Sequence, residues 1–246
     1  MQTLGVYGDS FAATYGAPQA WGSILKKDYN VTNYAVGGSD IYFSYKNFIK
    51  THHLYDKIIF VVTDASRYWN SVYNINGKQY AFNCRGSIEN VRVKEINIPP
   101  EMNLKITALD YYYTHLIDCS VHDDIASLMV EKIRTCRPDA IVVNIHSYKN
   151  IYMGFKDNVG FFDYQELFVK SVDPEKLKMH VDSNTGLWKP IWLYFKEKNL
   201  YCHMSEEVNE LVAQHMKEAL EKGIWNPVLP NTLPHYHGWD YYYDLA

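Results

Sequence analysis

The stretch TLGVYGDSFAAT, residues 3–14, decides the fold of this chain. Its first five residues are β-prone and mostly apolar, which predicts a buried parallel strand. Ser10 follows at the carboxyl end of that strand, where open α/β folds place their active sites. A helix is predicted to begin close by, and backbone N–H groups at such a point can stabilise an oxyanion. The alternative is that Asp9 or Ser10 only caps this helix.

Strand and helix patterns alternate along much of the chain. Strands are predicted near 3–8, 30–35, 57–63 and 139–145, and helices near 41–51, 122–136 and 205–222. This alternation predicts an α/β fold of the flavodoxin-like kind, a three-layer α/β/α sandwich with a mostly parallel sheet. The apolar first strand is predicted to lie between other strands. In the helix near 122–136, the side chains predicted to face the sheet are Ile125, Leu128, Met129 and Ile133.

A histidine late in the chain lies just before another predicted helix. The stretch YCHMSEE, residues 201–207, precedes apolar residues that recur at helical spacing. Ser205 suits the N-cap of that helix, and Gly223 suits its end. His203 is therefore predicted on a loop of a rigid scaffold, where catalytic side chains concentrate. A lone histidine is otherwise more often structural.

These two blocks resemble those of the SGNH (GDSL-type) hydrolases, and the chain is identified as a divergent member of that family. The family's nucleophilic serine lies in a GDS block after the first strand, and its histidine lies in a late DxxH block. The resemblance spans nearly the whole chain and implies Ser10 as nucleophile and His203 as general base. A second block supplies an oxyanion-hole glycine, and Gly38 in NYAVGGSD, residues 33–40, matches it. The alternative there is a plain Gly-Gly turn.

Two positions depart from the family's pattern. In the third block, GxND, Thr63 stands where the family has an oxyanion-binding Asn, and Asp64 matches the block's Asp. The Thr63 hydroxyl can still donate, with a shorter reach than Asn. The acid of the DxxH block should lie three residues before His203, and that residue is Leu200. Asn199 could bond the imidazole instead, without stabilising its charge. The alternatives are Glu197 in an unusual loop, a backbone carbonyl, a group from elsewhere in the chain, or no third member at all.

Two further polar residues are candidates for supporting roles. Asp9 precedes the implied nucleophile directly, and Arg67 lies just past the third predicted strand. Arg67 could pair with a carboxylate on a substrate, and a salt bridge to a neighbouring loop is the alternative.

The resemblance implies a serine esterase without a metal or a cofactor. Ser10 would attack an ester carbonyl while His203 takes its proton. The N–H groups of Ser10 and Gly38 and the Thr63 hydroxyl would stabilise the oxyanion. Aromatic residues make up 15% of the chain and favour an acetylated carbohydrate or a similar small ester as substrate. The alternative is a catalytically weakened SGNH-like domain that binds a glycan or builds an assembly.

The length of 246 residues predicts one domain, 1–246, with insertions near 69–110 and 146–200. A hairpin is predicted around Asn76-Gly77 within the first insertion. Both insertions are expected at the Ser10 end of the sheet, where they would shape a substrate groove or the contact of a homo-oligomer.

Composition argues against several other classes. The net charge of −4, with no long basic cluster, disfavours nucleic-acid binding, and no apolar run is long enough to span a bilayer. The four cysteines lack metal or disulfide spacing, and His235 and His237 alone are too little for a metal site. No signal peptide is visible, so the protein is expected to be cytoplasmic as made. This also fits a viral or phage-type SGNH protein in a host cytoplasm or a virion.

Overall fold

The fold is described from a computed structural model, which covers residues 1–63, 73–80, 88, 91, 92, 95, 97–116, 119–144, 161–163, 204 and 206–222. The strands are β1 (Thr3–Tyr7), β2 (Asn30–Asn33), β3 (Lys57–Val62), β4 (Tyr73–Ile75), β5 (Lys78–Tyr80), β6 (Ile141–Asn144) and β7 (Phe161–Asp163). The helices are α1 (Trp21–Ile24), α2 (Ile41–Thr51), α3 (Pro100–Tyr111), α4 (Cys119–Cys136) and α5 (Glu206–Lys222). No helix in these ranges is long and apolar enough to cross a membrane.

A parallel sheet with the strand order β2-β1-β3-β6-β7 forms the centre of the fold. Leu4 of β1 pairs with Val31 of β2 on one side and with Lys57 of β3 on the other. The four pairs in this sheet are all parallel. The predicted parallel sheet, with its first strand between two others, is therefore confirmed.

Helices cover both faces of this sheet. On one face, Leu4 and Val6 of β1 pack in a core cluster with Trp21 of α1 and Val212 and Met216 of α5. On the other face, residues of β1 and β3 pack against α2 and α4 in a second cluster that includes Tyr7, Ile58, Phe60, Phe48 and Val130. Successive residues of a strand point to opposite faces, so one short apolar strand serves both clusters. The predicted three-layer α/β/α sandwich is confirmed.

The helix α4 packs on the sheet with two of the four residues predicted to do so, Ile133 and Met129. Its buried residues are Ala126, Val130 and Ile133, whereas Ile125 is 43% exposed and Leu128 is 64% exposed. The prediction for Ile125 and Leu128 is wrong, because α4 carries apolar residues on two stripes and spacing alone does not choose between them. Val130 and the small Ala126 lie against the sheet and α2.

The first insertion contains the predicted hairpin. Strands β4 and β5 are antiparallel, and Asn76 and Gly77 between them have φ values of +52° and +80°. Two left-handed residues are what a two-residue hairpin turn of this kind requires. Ile75 packs with Ile88, Val91, Met102 and Ile106 in a small core of its own. The position of this hairpin relative to Ser10 stays a prediction.

The second insertion lies mostly outside the described residues. Its described part, β7, adds a fifth strand beside β6. The sequence patterns gave this stretch no strand, because a run of three residues is too short for a periodic signal.

Candidate active site

The turn after β1 requires a glycine at position 8. Gly8 has a backbone φ of +153°, a conformation that residues other than glycine rarely adopt. A Cβ atom there would lie 2.8 Å from the Cβ of Val61 and 3.3 Å from the Val61 carbonyl oxygen on β3. The chain can therefore turn out of β1, directly against β3, only because position 8 has no side chain.

Asp9 shapes the turn that carries Ser10. The Asp9 side chain is fully buried, and its Oδ1 accepts a hydrogen bond of 3.1 Å from the Phe11 N–H. Its carbonyl accepts from the N–H groups of Ala12 at 3.0 Å and Ala13 at 2.9 Å. Ser10, between these anchored residues, is partly exposed. The turn thus places Ser10 at the carboxyl end of the sheet.

The loop after β2 is bonded to the same turn. The Gly8 carbonyl accepts hydrogen bonds from the Val36 N–H at 3.1 Å and from the hydroxyls of Ser39 and Ser44, each at 3.2 Å. Both serine side chains are fully buried. Gly38 precedes Ser39 directly and has a φ of +75°. The predicted oxyanion glycine therefore lies in a loop that is held against the Ser10 turn.

Thr63 follows β3 and has a buried hydroxyl. Tyr7 pairs with Phe60 and Gly8 lies against Val61, so the chain leaves the sheet at neighbouring places after β1 and after β3. Thr63 is fully buried, and its Oγ1 has no hydrogen-bond partner among the described residues. A buried hydroxyl without a partner lowers the free energy of unfolding by about 1–3 kcal/mol. The presence of a threonine at this position therefore needs an explanation other than stability.

Tyr15 lies against the loop after β2 that carries Gly37 and Gly38. Its backbone φ is +46°, and its side chain is 75% exposed. The Tyr15 hydroxyl occupies the space that a Cβ atom on Gly37 would need. Residues with strained backbone conformations of this kind are common at functional sites. Here the exposed ring of Tyr15 borders the loop that carries Gly38.

The strand order puts these loops at the reversal point of the sheet. After β1 the chain moves to β2 on one side, and after β3 it continues to β6 on the other. In open α/β sheets the crevice at such a point is where ligands bind. Ser10 follows β1 and Thr63 follows β3, so both residues lie beyond the carboxyl ends of the two strands that flank this point.

Two buried residues that the sequence patterns did not single out connect to this turn. The Trp21 indole N–H donates to the Phe11 carbonyl at 2.8 Å. The Trp21 backbone N–H donates to Oδ1 of Asn209 at 2.9 Å, and Nδ2 of Asn209 donates to the Met204 carbonyl at 3.1 Å. The available signal was a lone amide, Asn209, on the otherwise apolar face of α5.

The remaining predicted site residues, His203, Asp64, Arg67 and Asn199, lie outside the described residues. Met204, which is joined to His203, is described and is fully buried among residues of α1 and α5. Within the described ranges, no group of three or more His, Cys, Asp or Glu side chains could hold a metal ion.

Comparisons with known proteins found similarity among solved structures. No protein-family model and no curated protein matches the chain. A psychrotrophic esterase, EstA, from Pseudoalteromonas sp. has 9% identity and a TM-score of 0.42, over 91% of this chain and 98% of that one. A putative lipolytic protein of the G-D-S-L family from Desulfitobacterium hafniense DCB-2 has 13% identity and a TM-score of 0.38, over 89% and 100% of the two chains.

A third similar structure is an acetyl xylan esterase, AlAXEase. It has 8% identity and a TM-score of 0.33, over 98% of this chain and 95% of that one. All three TM-scores are below 0.5, so these similarities carry no conclusion about the activity of this chain.

Proposed function

We propose that this chain is a divergent SGNH hydrolase that acts as a serine esterase, with Ser10 as its nucleophile. One observation carries the proposal. The loop of Gly38 is bonded to the Gly8 carbonyl two residues before Ser10, while the buried Thr63 hydroxyl, directly after β3, has no partner among the described residues. A nucleophile flanked by potential donors from two other segments is the arrangement that acyl transfer needs.

The proposed reaction proceeds through an acyl-enzyme. His203 takes the proton from Ser10 Oγ as that oxygen attacks the ester carbonyl carbon. The N–H groups of Ser10 and Gly38 and the Thr63 hydroxyl stabilise the negative charge on the carbonyl oxygen. The tetrahedral intermediate collapses, the bond to the alcohol breaks, and the alcohol leaves with the proton from His203. Water, activated by His203, then releases the carboxylic acid and restores Ser10.

Small acyl groups on a carbohydrate are the proposed substrates, with acetyl as the leading case. The exposed ring of Tyr15 next to Gly37 supports this choice, because a sugar ring can lie on an aromatic face beside the reacting ester. A glycan-binding or assembly module is the second candidate function. It is favoured by the two departures from the family's pattern, at Thr63 and Leu200.

Ester turnover with a matched serine variant separates the two functions. Purified protein is assayed with p-nitrophenyl acetate and with an acetylated oligosaccharide, next to the Ser10→Ala variant. We expect acetate release by the wild type and a loss of at least about 10³-fold in Ser10→Ala. Equal turnover by both proteins would remove the esterase proposal. Retained binding of the oligosaccharide without turnover would favour the binding module.

The missing acid gives a further prediction. A neutral group behind His203 orients the imidazole but stabilises its charged form less, so activity should be weak and should rise with pH as His203 loses its proton. We expect Leu200→Asp to raise kcat, because it restores the family's carboxylate three residues before His203. The control is Leu200→Asn, which has a similar size and no charge. The prediction fails if Asp and Asn at this position give the same kcat.

A further inference from the structure

A chain of hydrogen bonds through the buried residues Trp21 and Asn209, here called the relay, joins the turn of Ser10 to Met204, the residue that follows His203. We propose that Asn209 and Trp21 are positioning residues, which hold the backbone at Met204, the residue next to His203, in a fixed place relative to the turn of Ser10. The inference rests on the proposed function, because it assumes that Ser10 and His203 work together.

Asn209 is bonded at both ends of its side-chain amide. It is fully buried in α5, where Oδ1 accepts from the Trp21 N–H at 2.9 Å and Nδ2 donates to the Met204 carbonyl at 3.1 Å. A buried amide is costly unless it is bonded in this way, and the surrounding face of α5 is apolar. Asn209 therefore fixes the backbone at Met204 against the start of α1.

Trp21 continues the relay on the other side. Its backbone N–H is one of the helix-initial donors of α1 that have no partner within the helix, and Asn209 satisfies it. Its fully buried indole N–H donates to the Phe11 carbonyl at 2.8 Å. Trp21 thus connects α5, through its backbone N–H, to the turn after β1, through its indole N–H.

Each end of the relay lies one peptide from a proposed catalytic side chain. Phe11 is joined to Ser10, and Met204 is joined to His203. The two segments are 188 residues apart in sequence at the Trp21–Asn209 contact. A displacement of about 1 Å between reacting groups can cost about 10²-fold in rate, so this connection bears on catalysis as well as on folding.

The departure at Leu200 increases the importance of this connection. In the family's pattern a carboxylate three residues before the histidine orients the imidazole, and here that position holds Leu. The placement of the imidazole then depends more on how its backbone is anchored. Asn209 supplies such an anchor at the adjacent residue, Met204.

Two variants cut the relay at different points. Asn209→Asp keeps the acceptor for the Trp21 N–H and removes the donor to the Met204 carbonyl. Trp21→Phe removes the donor to the Phe11 carbonyl together with part of the buried ring, and it keeps the backbone N–H that donates to Asn209. The control is Tyr55→Phe, which removes the 2.6 Å bond between the hydroxyls of Tyr34 and Tyr55 on the other face of the sheet.

Kinetics with p-nitrophenyl acetate, at a temperature where all variants are folded by circular dichroism, give the first readout. We expect kcat to fall about tenfold or more in Asn209→Asp and in Trp21→Phe, with KM changed by less than about twofold. The double variant should lose less than the product of the two single losses, because both break the same relay. Tyr55→Phe should keep the wild-type kcat. A wild-type kcat in both relay variants, losses confined to KM, or losses that multiply fully in the double variant would overturn the inference.

The His203 ring resonance gives a readout that does not need turnover. The resonance is assigned by its loss in His203→Gln, and it is compared in the wild type, Asn209→Asp and Tyr55→Phe. We expect it to shift or broaden in Asn209→Asp and to stay in place in Tyr55→Phe. If Ser10→Ala keeps full turnover, the esterase proposal fails by itself. In that case an unchanged His203 resonance in Asn209→Asp overturns the positioning role, and a shifted one supports it.

Discussion

Among single residues, Thr63 offers a position where stability and activity should move in opposite directions. Its buried hydroxyl has no partner among the described residues, so replacing it with a methyl group in Thr63→Val should leave the free energy of unfolding unchanged or higher. As an oxyanion donor its loss should lower kcat by about 10²-fold. The measurements are urea denaturation and ester turnover on the same preparation.

Thr51→Val is the matched control for this prediction. The Thr51 hydroxyl bonds with the Tyr7 hydroxyl and with the Asn47 carbonyl, each at 2.8 Å, on the α2 face of the sheet. Its loss should lower stability by about 1 kcal/mol and leave kcat unchanged. If Thr63→Val behaves like Thr51→Val, Thr63 has a structural role only.

Alanine substitutions at Gly8 and Gly16 distinguish the cost of backbone strain from the cost of close packing. Both have positive φ values, +153° and +80°, but a Cβ on Gly16 would meet nothing within 4 Å. Gly16→Ala should therefore cost only the backbone strain, about 1–3 kcal/mol. Gly8→Ala should cost about 1–3 kcal/mol more from overpacking against Val61, and it should also reduce turnover. Chemical denaturation measures both costs, and equal values would contradict the close packing of the turn against β3.

At the level of elements, His52 makes the end of α2 sensitive to pH. Burial lowers the pKa of the His52 imidazole below its usual range, and the Arg137 guanidinium lowers it further. Its ring stacks on Phe48 at 4.8 Å, and its buried Nδ1 has no partner among the described residues. The folded state therefore keeps the imidazole neutral at a pH where the unfolded chain binds a proton.

The direction of the pH effect follows from this difference. The stabilisation is complete above the unfolded pKa of about 6.5 and is lost as the pH falls through the lower folded pKa. His52→Phe keeps the stacked ring and removes the titration, so the fall in Tm between pH 8 and pH 5.5 should be smaller than in the wild type. Burial also lowers the pKa of His215, and that contribution should remain. His115→Phe, at an exposed residue outside α2, serves as the control, and an identical fall in all three proteins would contradict the account.

The helices also show where sequence patterns stop being sufficient. The start of α2 follows from Asp40, whose carboxylate accepts from the Phe43 N–H at 2.8 Å, and this signal is local. The face that α4 turns to the sheet is not local, because Ile125 and Leu128 fit a helical stripe as well as the buried residues do. The choice is made by contact with α2 and β3, which spacing within α4 does not encode.

For the whole molecule, the sheet and the Ser10 turn could be predicted because their signals are continuous in sequence. A short apolar strand followed directly by Gly8 and Asp9 predicts a buried strand that ends in a turn, without reference to distant residues. The connection of Asn209 to Trp21 could not be predicted, since it joins residues 188 positions apart. At the opposite end of the sheet, the Arg137 guanidinium donates hydrogen bonds to the carbonyls of His52, Tyr55 and Asp56. These contacts could not be predicted either, because they also join residues far apart in sequence.

The most direct measurement for the central claim is the mass of the protein after reaction with an alkyl fluorophosphonate. The reagent forms a bond between phosphorus and an activated serine oxygen as fluoride leaves. We predict one adduct per chain on the peptide that contains Ser10, none in Ser10→Ala, and slower labelling in His203→Gln. An unmodified wild-type protein, or an adduct on another residue that persists in Ser10→Ala, would contradict the account of Ser10 as the nucleophile of this fold.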